Sequence, residues 1–110
     1  MELTEKTVQN LTVVSINGRL DAISSSEAEK SLEQVLGKCP AKILINLDGL
    51  EYISSAGLRI LLVAAKKARQ HNIKIALCSL GTKVREVFDL SGFSSIFTIY
   101  ESEQAAIEKL

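Results

Sequence analysis

The sequence lacks the features that mark several common classes of protein. Its 13 basic and 13 acidic side chains cancel to a net charge of zero. Neutrality removes the electrostatic basis for binding DNA, RNA or an acidic membrane surface. The first residues do not have the basic and then apolar layout of a secretory signal, and no apolar run approaches the length of a membrane span. We therefore expect a cytoplasmic protein with no nucleic-acid or membrane partner.

Metal ligands are equally scarce. The two cysteines, Cys39 and Cys78, lie far apart without a Cys-x-x-Cys pair, and His71 is the single histidine. These residues make a poor set of zinc ligands. Cys78 ends an apolar stretch and is predicted to be a buried small hydrophobe. The sequence indicates neither a metal site nor a bound cofactor.

Catalytic motifs are missing as well. No Gly-rich loop leads into a Lys-Ser or Lys-Thr pair, and no serine stands in a Gly-x-Ser-x-Gly frame. A nucleophile at Ser55 would need a base, and His71 lies about 24 Å away along the same predicted helix at 1.5 Å per residue. The early strands end in Asn17-Gly18 and Asn46-Leu47-Asp48, without the carboxylate cluster of a magnesium-binding receiver domain. We expect no enzyme and no small-molecule substrate.

What is present is a regular series of apolar segments in a chain of 110 residues, the length of one domain (1–110). The pattern predicts strands at 3–8, 11–16, 42–47, 73–78 and 95–100, with helices from about 24 to 36, from the Ser54-Ser55 pair to about 70, from 82 to 92 and from 101 to 110. Gln9-Asn10 predicts a hairpin between the first two strands, and Asn17-Gly18 predicts the end of the second. From that strand onward strands and helices alternate, which favours a mostly parallel sheet.

Two of the predicted helices begin at hydroxyl residues that suit capping. Ser24 or Ser26 precedes Glu27 or Glu29 at the spacing of a capping box. Thr82 is predicted to cap the third helix, which ends at a glycine.

The most informative stretch, Tyr-Ile-Ser-Ser-Ala-Gly-Leu at residues 52–58, lies at a predicted helix start. With Ser54 as N-cap, Ile53 and Leu58 occupy the two positions of a hydrophobic staple. Ser55 is then the first helical residue, and its hydroxyl is not committed to the cap. Gly57 has no side chain, so other atoms can approach its backbone closely. The approaching atoms could belong to a surface contact or to a tightly packed core, and the sequence favours neither. A phosphate at Ser55 would suit the positive helix end and act on a docking surface rather than on the fold.

Three segments together resemble the anti-sigma factor antagonists, the bacterial members of the STAS domain class. They are Asn17-Gly18-Arg19-Leu20-Asp21, the stretch from Asn46 to Leu58, and the stretch from Val84 to Phe93 with its Phe-Asp-Leu-Ser-Gly-Phe end. The resemblance covers essentially the whole chain. It implies a single STAS-type α/β domain with a mixed, mostly parallel sheet of about five strands. It also implies an N-terminal antiparallel hairpin and helices packed mainly on one face.

The resemblance also implies partner switching. In such proteins the unphosphorylated form binds an anti-sigma factor that is a serine kinase, and the sigma factor is released. Phosphorylation of a serine at the helix start breaks the complex, and a serine phosphatase of the PP2C type resets it. Carried over by position, the acceptor is Ser55. The implied partner surface comprises Asp21, Ser54, Ser55, Gly57 and Arg59.

One departure from the family keeps an alternative open. Ser54 stands where the family often has Asp, so a charge beside the acceptor is absent and Ser54 becomes a rival acceptor. Some STAS domains are never phosphorylated, and the alternative is a non-switching scaffold or ligand-binding module, as in stressosomes, lipid transport or transporter tails. Asp21 has two explanations, partner recognition and a turn or cap ahead of Ser24. Arg59 also has two, a contact with a partner or with phosphate on Ser55, and a solvated cation.

Overall fold

Six strands form one mixed sheet whose pairing decides which loops meet. The computed structural model describes all 110 residues. The strands are β1 (Glu2–Val8), β2 (Leu11–Leu20), β3 (Lys42–Asn46), β4 (Leu50–Ile53), β5 (Lys74–Cys78) and β6 (Ile99–Tyr100). The helices are α1 (Ser25–Gly37), α2 (Ser55–Gln70), α3 (Thr82–Ser91) and α4 (Glu103–Lys109). Neighbouring strands follow the order β1, β2, β3, β5, β6, and β4 pairs with the end of β2.

The predicted hairpin is confirmed, since β1 and β2 pair antiparallel with Val8 opposite Leu11. The predicted end of β2 at Asn17-Gly18 is wrong, because the strand continues to Leu20. Gly18 adopts a φ of +89°, which glycine tolerates without a steric penalty, and the pairing register shifts at that point. The first half of β2 pairs with β3 and the extension pairs with β4, both in parallel.

The loop predicted between Leu47 and Ser55 contains the short strand β4, so the sheet has six strands rather than about five. Leu50 and Ile53 are buried, while the two residues between them are exposed. This pattern does not alternate, and the period-two signal of a half-buried strand is therefore absent. The strand exists because the extension of β2 offers it a partner. It interrupts the predicted alternation of strands and helices between β3 and β4.

Three helices cover one face of the sheet and α4 covers the other. The main core joins residues of α1, α2 and α3 to strand residues such as Val14 and Ile45. Their chain neighbours Val13 and Leu44 point the opposite way and pack with Ala106 of α4 in a second cluster. The predicted fold class, one α/β domain with a mostly parallel sheet and helices mainly on one face, is confirmed.

The third helix and the last strand differ from prediction at their starts. Gly81, not Thr82, is the N-cap residue of α3, and no side chain caps it. The predicted end is confirmed, with Gly92 in the left-handed region at a φ of +80°. The strand predicted at 95–100 is reduced to Ile99–Tyr100, because a 3₁₀ turn at Phe93–Ser95 occupies the chain before it reaches the sheet.

Candidate partner-binding and modification site

Ser54 and Ser55, which we call the serine turn, join β4 to α2. Ser54 is the N-cap residue, with extended backbone, and its Oγ accepts a hydrogen bond from the N–H of Gly57 at 3.3 Å. Ile53 and Leu58, the two positions of the predicted staple, are both buried in the main core. The predicted cap at Ser54 is therefore confirmed, and it fixes the direction in which α2 leaves the sheet.

Ser55 is the first residue of α2, and its side chain is exposed to solvent. Its hydroxyl takes no part in the cap, which uses Ser54 Oγ. The first N–H groups of a helix have no intrahelical partner and carry partial positive charge. No acidic side chain lies in the first turn of α2 to offset that charge. Ser55 therefore presents an accessible hydroxyl at an electropositive helix end.

Arg59 lies one helical turn after Ser55 and is also exposed. It takes part in none of the five ion pairs of the structure. Residues four apart lie on the same face of a helix. The guanidinium is therefore free to meet a carboxylate of another molecule or a phosphate on Ser55. Its contact with a partner or with phosphate on Ser55 stays a prediction, as does its alternative role as a solvated cation.

The turn after β2 lies beside the serine turn. Leu20 is opposite Ile53 in the parallel pairing of β2 and β4. The N–H of Ser54 donates to the Leu20 carbonyl at 2.9 Å. Asp21 follows Leu20 directly, so the structure brings Asp21 and the Ser54-Ser55 pair to the same edge of the sheet. Adjacent parallel strands place their carboxyl ends together in this way.

The Asp21 carboxylate organises its own turn. Oδ1 accepts the N–H of Ile23 at 3.0 Å and the N–H of Ser24 at 3.1 Å. The hydrogen bond from Ser24 is the main reason why the pKa of Asp21 lies below its ordinary value, and desolvation opposes the shift. Asp21 therefore has the predicted turn-forming role, and its recognition by a partner stays a prediction.

The predicted capping box at the start of α1 does not form. Ser24 has helical backbone angles and its side chain makes no capping hydrogen bond. Its Oγ instead accepts the N–H of Asp21 at 3.0 Å and donates to the carbonyl of Arg19 at 2.8 Å. These bonds tie the turn back to the end of β2, so the hydroxyl is unavailable to the helix.

The structure adds two neighbours that sequence reasoning missed. The guanidinium of Arg19 lies 4.3 Å from the centroid of the Tyr52 ring, and its Nε lies 3.7 Å from Asp21 Oδ2. Ile23 is 91% exposed in the same turn. The pairing of Arg19 with Tyr52 depends on the unpredicted strand β4. Ile23 did carry a signal, since it is a large apolar residue in a turn that begins with Asp21 and leads into three serines.

Gly57 is buried, and its bare backbone faces the interior. A Cβ added there would lie 2.7 Å from the Leu20 carbonyl oxygen and 2.9 Å from Ile53 Cγ1. Of the two explanations that the sequence left open, the structure supports core packing. The prediction that Gly57 belongs to the partner surface is therefore wrong, because neighbouring atoms already occupy the space in front of it.

The surface around Ser55 is not a pocket. None of the four cavities is lined by Ser54, Ser55 or Asp21. The two largest, about 540 and 520 Å³, lie towards the other end of α2, against Arg69 and His71 respectively. Small-molecule sites are concave and enclose most of their ligand. The serine turn is therefore an open surface rather than a cavity.

The remaining polar residues lie away from this turn. His71 is the C-cap of α2, about 24 Å from Ser55 for a helix of this length. Cys78 is fully buried as predicted, and burial raises the pKa of its thiol. No three His, Cys, Asp or Glu side chains gather in a way that could hold a metal ion. None of the helices combines the length and the apolar character needed to cross a membrane.

Comparison with known proteins identifies the class. The pattern that defines the STAS domain matches residues 2–106. The chain is 37% identical over 106 residues to BtrV of Bordetella bronchiseptica, provisionally named as an anti-sigma factor antagonist; the match covers 96% of this chain and 91% of that protein. This chain therefore belongs to the STAS domain family, and the resemblance seen in its sequence is confirmed.

Solved structures share the fold over nearly the whole chain. An anti-sigma factor antagonist from Mycobacterium paratuberculosis superposes with a TM-score of 0.90 at 22% identity, covering 97% of this chain and 91% of that one. SpoIIAA of Bacillus, in its unphosphorylated form, gives a TM-score of 0.82 at 19% identity, covering 98% and 95%. At such identities the likeness shows the fold alone. The family is one of regulatory domains rather than a class of enzymes.

Proposed function

We propose that this STAS domain is an anti-sigma factor antagonist that works by partner switching. The unphosphorylated protein binds an anti-sigma factor that is also a serine kinase, and the sigma factor is released. Phosphorylation of Ser55 breaks the complex, and a serine phosphatase restores it. The observation that carries the proposal is the exposed hydroxyl of Ser55 at a helix start with no acidic residue in its first turn.

The position of Ser55 explains how a phosphate would act without unfolding the protein. A phosphoserine carries nearly two negative charges at neutral pH, and a helix N-terminus stabilises them. α2 therefore stays formed. The added charge instead changes the exposed surface between the Asp21 turn and Arg59. A partner that fits the neutral hydroxyl meets a bulky dianion there, and the complex weakens.

Ser54 is the weaker candidate for modification. It is half-buried, and its Oγ already accepts the N–H of Gly57. A kinase would have to break that cap to reach it, at a cost of about 1 kcal/mol. Ser55 requires no such change, which supports it as the acceptor.

The names of related proteins support the proposed antagonist function. Proteins of this family carry the names of anti-sigma factor antagonists, among them RsfB of Mycobacterium tuberculosis, an anti-sigma-F factor antagonist 27% identical over 97 residues. SpoIIAA, which has the same fold, has been solved in a phosphorylated form. Both facts describe those proteins, and the proposal extends them to this chain.

Intact-mass measurement tests the modification. The protein is incubated with ATP and each ATP-binding anti-sigma factor of the organism that encodes it, beside the variants Ser55→Ala and Ser54→Ala. We expect a gain of about 80 Da, one phosphate, that Ser55→Ala abolishes and Ser54→Ala retains. A gain that only Ser54→Ala removes would reassign the acceptor. No gain with any kinase, despite binding, would favour the non-switching scaffold.

Binding measurements with charge variants test the switch. We expect Ser55→Asp to have the circular dichroism of the wild type but at least about tenfold weaker binding to the anti-sigma factor. Asn72→Asp is the matched control, because it adds one negative charge at the opposite end of α2 and Asp tolerates the positive φ of 58° found there. Equal loss in both variants would show a general charge effect and contradict the switch.

A further inference from the structure

Ile23 is a large apolar side chain that the fold leaves almost entirely in solvent. It is 91% exposed in the turn between β2 and α1. A single exposed aliphatic residue is ordinary on a protein surface, and Leu90 on α3, 89% exposed, is another. Ile23 differs from Leu90 in its place, because its turn lies beside the serine turn.

Hydrogen bonds rather than apolar packing hold this turn. The N–H of Ile23 donates to Asp21 Oδ1 at 3.0 Å. The carbonyl of Leu20, the residue before Asp21, accepts the N–H of Ser54 at 2.9 Å. The position of Ile23 is therefore fixed relative to Ser55. A side chain on an ordered backbone loses less conformational entropy on binding than one on a mobile loop.

The pair Arg19 and Tyr52 borders the same turn. The guanidinium carbon of Arg19 lies 4.3 Å from the centroid of the Tyr52 ring. Both side chains remain accessible, since the Arg19 side chain is 60% exposed and Tyr52 is 41% exposed. Arg and Tyr are among the residues that contribute most to protein–protein binding. We call Arg19, Ile23 and Tyr52 the docking patch. Tyr52 lines a small cavity of about 80 Å³, whereas Arg19 and Ile23 line none, so Ile23 projects from the surface and an apolar pocket for it has to come from the partner.

We propose that Ile23 is the apolar anchor by which this protein docks on its anti-sigma factor, and that Asp21 is a positioning residue that aims it. The inference rests on the proposed function, which supplies the partner. That partner offers an apolar pocket for Ile23 beside the surface that receives Ser55. Because the docking patch and Ser55 share one edge of the sheet, one partner covers both. A phosphate on Ser55 is then added inside the interface, where charge without a counterpart weakens binding most.

Affinity for the anti-sigma factor, measured by calorimetry on the full chain, tests the anchor. We expect Ile23→Ser to weaken binding about tenfold or more, the effect of losing one buried aliphatic side chain. Leu90→Ser is the matched control, with the same chemical change and equal exposure, and its affinity should equal that of the wild type. Both variants should unfold at the wild-type temperature, since neither residue is packed in the core.

The aspartate series tests the positioning role. Asp21→Asn keeps an Oδ1 acceptor for the N–H of Ile23 and removes the charge, whereas Asp21→Ala removes both. We expect Asp21→Asn to bind within about threefold of the wild type and Asp21→Ala to bind at least about fivefold more weakly. Equal loss in the two variants would mean that the charge itself is recognised, which overturns the positioning role.

The outcomes separate the two proposals. If the wild type binds the anti-sigma factor and Ile23→Ser binds it with the same affinity, the anchor is overturned and the proposed function stands. The same holds if Leu90→Ser loses as much as Ile23→Ser. If the wild type binds none of the organism's anti-sigma factors, the proposed function fails and the anchor with it. Selective loss in Ile23→Ser confirms the anchor.

Discussion

Replacing Gly57 with alanine tests whether this glycine serves packing rather than recognition. The new methyl group would lie 2.7 Å from the Leu20 carbonyl oxygen, 2.9 Å from Leu20 Cγ and 2.9 Å from Ile53 Cγ1. Real Cβ atoms do not approach other heavy atoms so closely, so something must move. The nearest atom is a backbone oxygen that also accepts the N–H of Ser54. Moving it disturbs the junction between β2 and the serine turn.

Two opposing effects set the size of the change. Overpacking a well-filled site costs about 1–3 kcal/mol. Alanine is the better helix former, by at most about 1 kcal/mol. Because Leu20 cannot retreat without straining its hydrogen bond to Ser54, we expect the steric cost to win. After the gain in helix propensity, a loss of about 0–2 kcal/mol remains, and because the closest contact is a backbone oxygen we expect the free energy of unfolding of Gly57→Ala to fall by about 1–2 kcal/mol, the upper part of that range.

Urea unfolding followed by circular dichroism measures this change, with Gly37→Ala as the control. Gly37 ends α1, and an added Cβ there meets nothing within 4 Å. We expect Gly37→Ala to be neutral or slightly stabilising, because only the unfolded chain is affected. If Gly57→Ala matches or exceeds the stability of the wild type, the packing argument is refuted. Gly57 would then again be a candidate for direct partner contact.

Two further predictions concern stability. Ser54→Ala should lower the free energy of unfolding by about 1 kcal/mol through loss of the N-cap, whereas Ser55→Ala should change it by less than about 0.5 kcal/mol in the same urea titrations; equal losses would contradict the assignment of the cap. The hydrogen bond from Lys6 at 2.9 Å is the main reason why the pKa of Glu103 lies below its ordinary value. The pKa of Glu103 is lower in the folded protein than in the unfolded chain. The ionised carboxylate therefore stabilises the fold at pH values above the ordinary glutamate pKa, and this stabilisation is lost as the pH falls through the pKa of the folded protein. The stability difference between the wild type and Glu103→Gln should therefore shrink from about pH 6 to about pH 3, and a difference that does not vary with pH would disprove this role.

The residues that sequence reasoning placed correctly depend on short-range chemistry. A cap and its staple lie within one helical turn, so Ile53, Ser54 and Leu58 predict the start of α2 by themselves. The hairpin likewise follows from residues next to one another at Gln9-Asn10. Apolar spacing distinguishes helices from buried strands because each has its own period. That Asp21 and Ser55 belong to one surface was implied instead by the family resemblance.

The errors fall where distant residues decide the outcome. β4 has no pattern of its own, and its pairing with β2 depends on the bulge at Gly18. Ser24 has the sequence of a capping residue, but its hydroxyl bonds back to Arg19 instead. Such choices depend on which hydrogen-bond partner the fold brings nearest, and neighbouring sequence does not specify it.

The sequence alone therefore determined the class of fold, the start of α2 and the choice of Ser55 as the serine whose hydroxyl is not used by the cap. Each of these depends on side chains that are close together in the chain. Only the tertiary structure decided that Gly57 faces inward and that Arg19 covers Tyr52. Each of these contacts joins residues through the register of β2 against β4. Strand register is fixed by packing across the whole sheet, so it becomes visible only when the sheet is assembled.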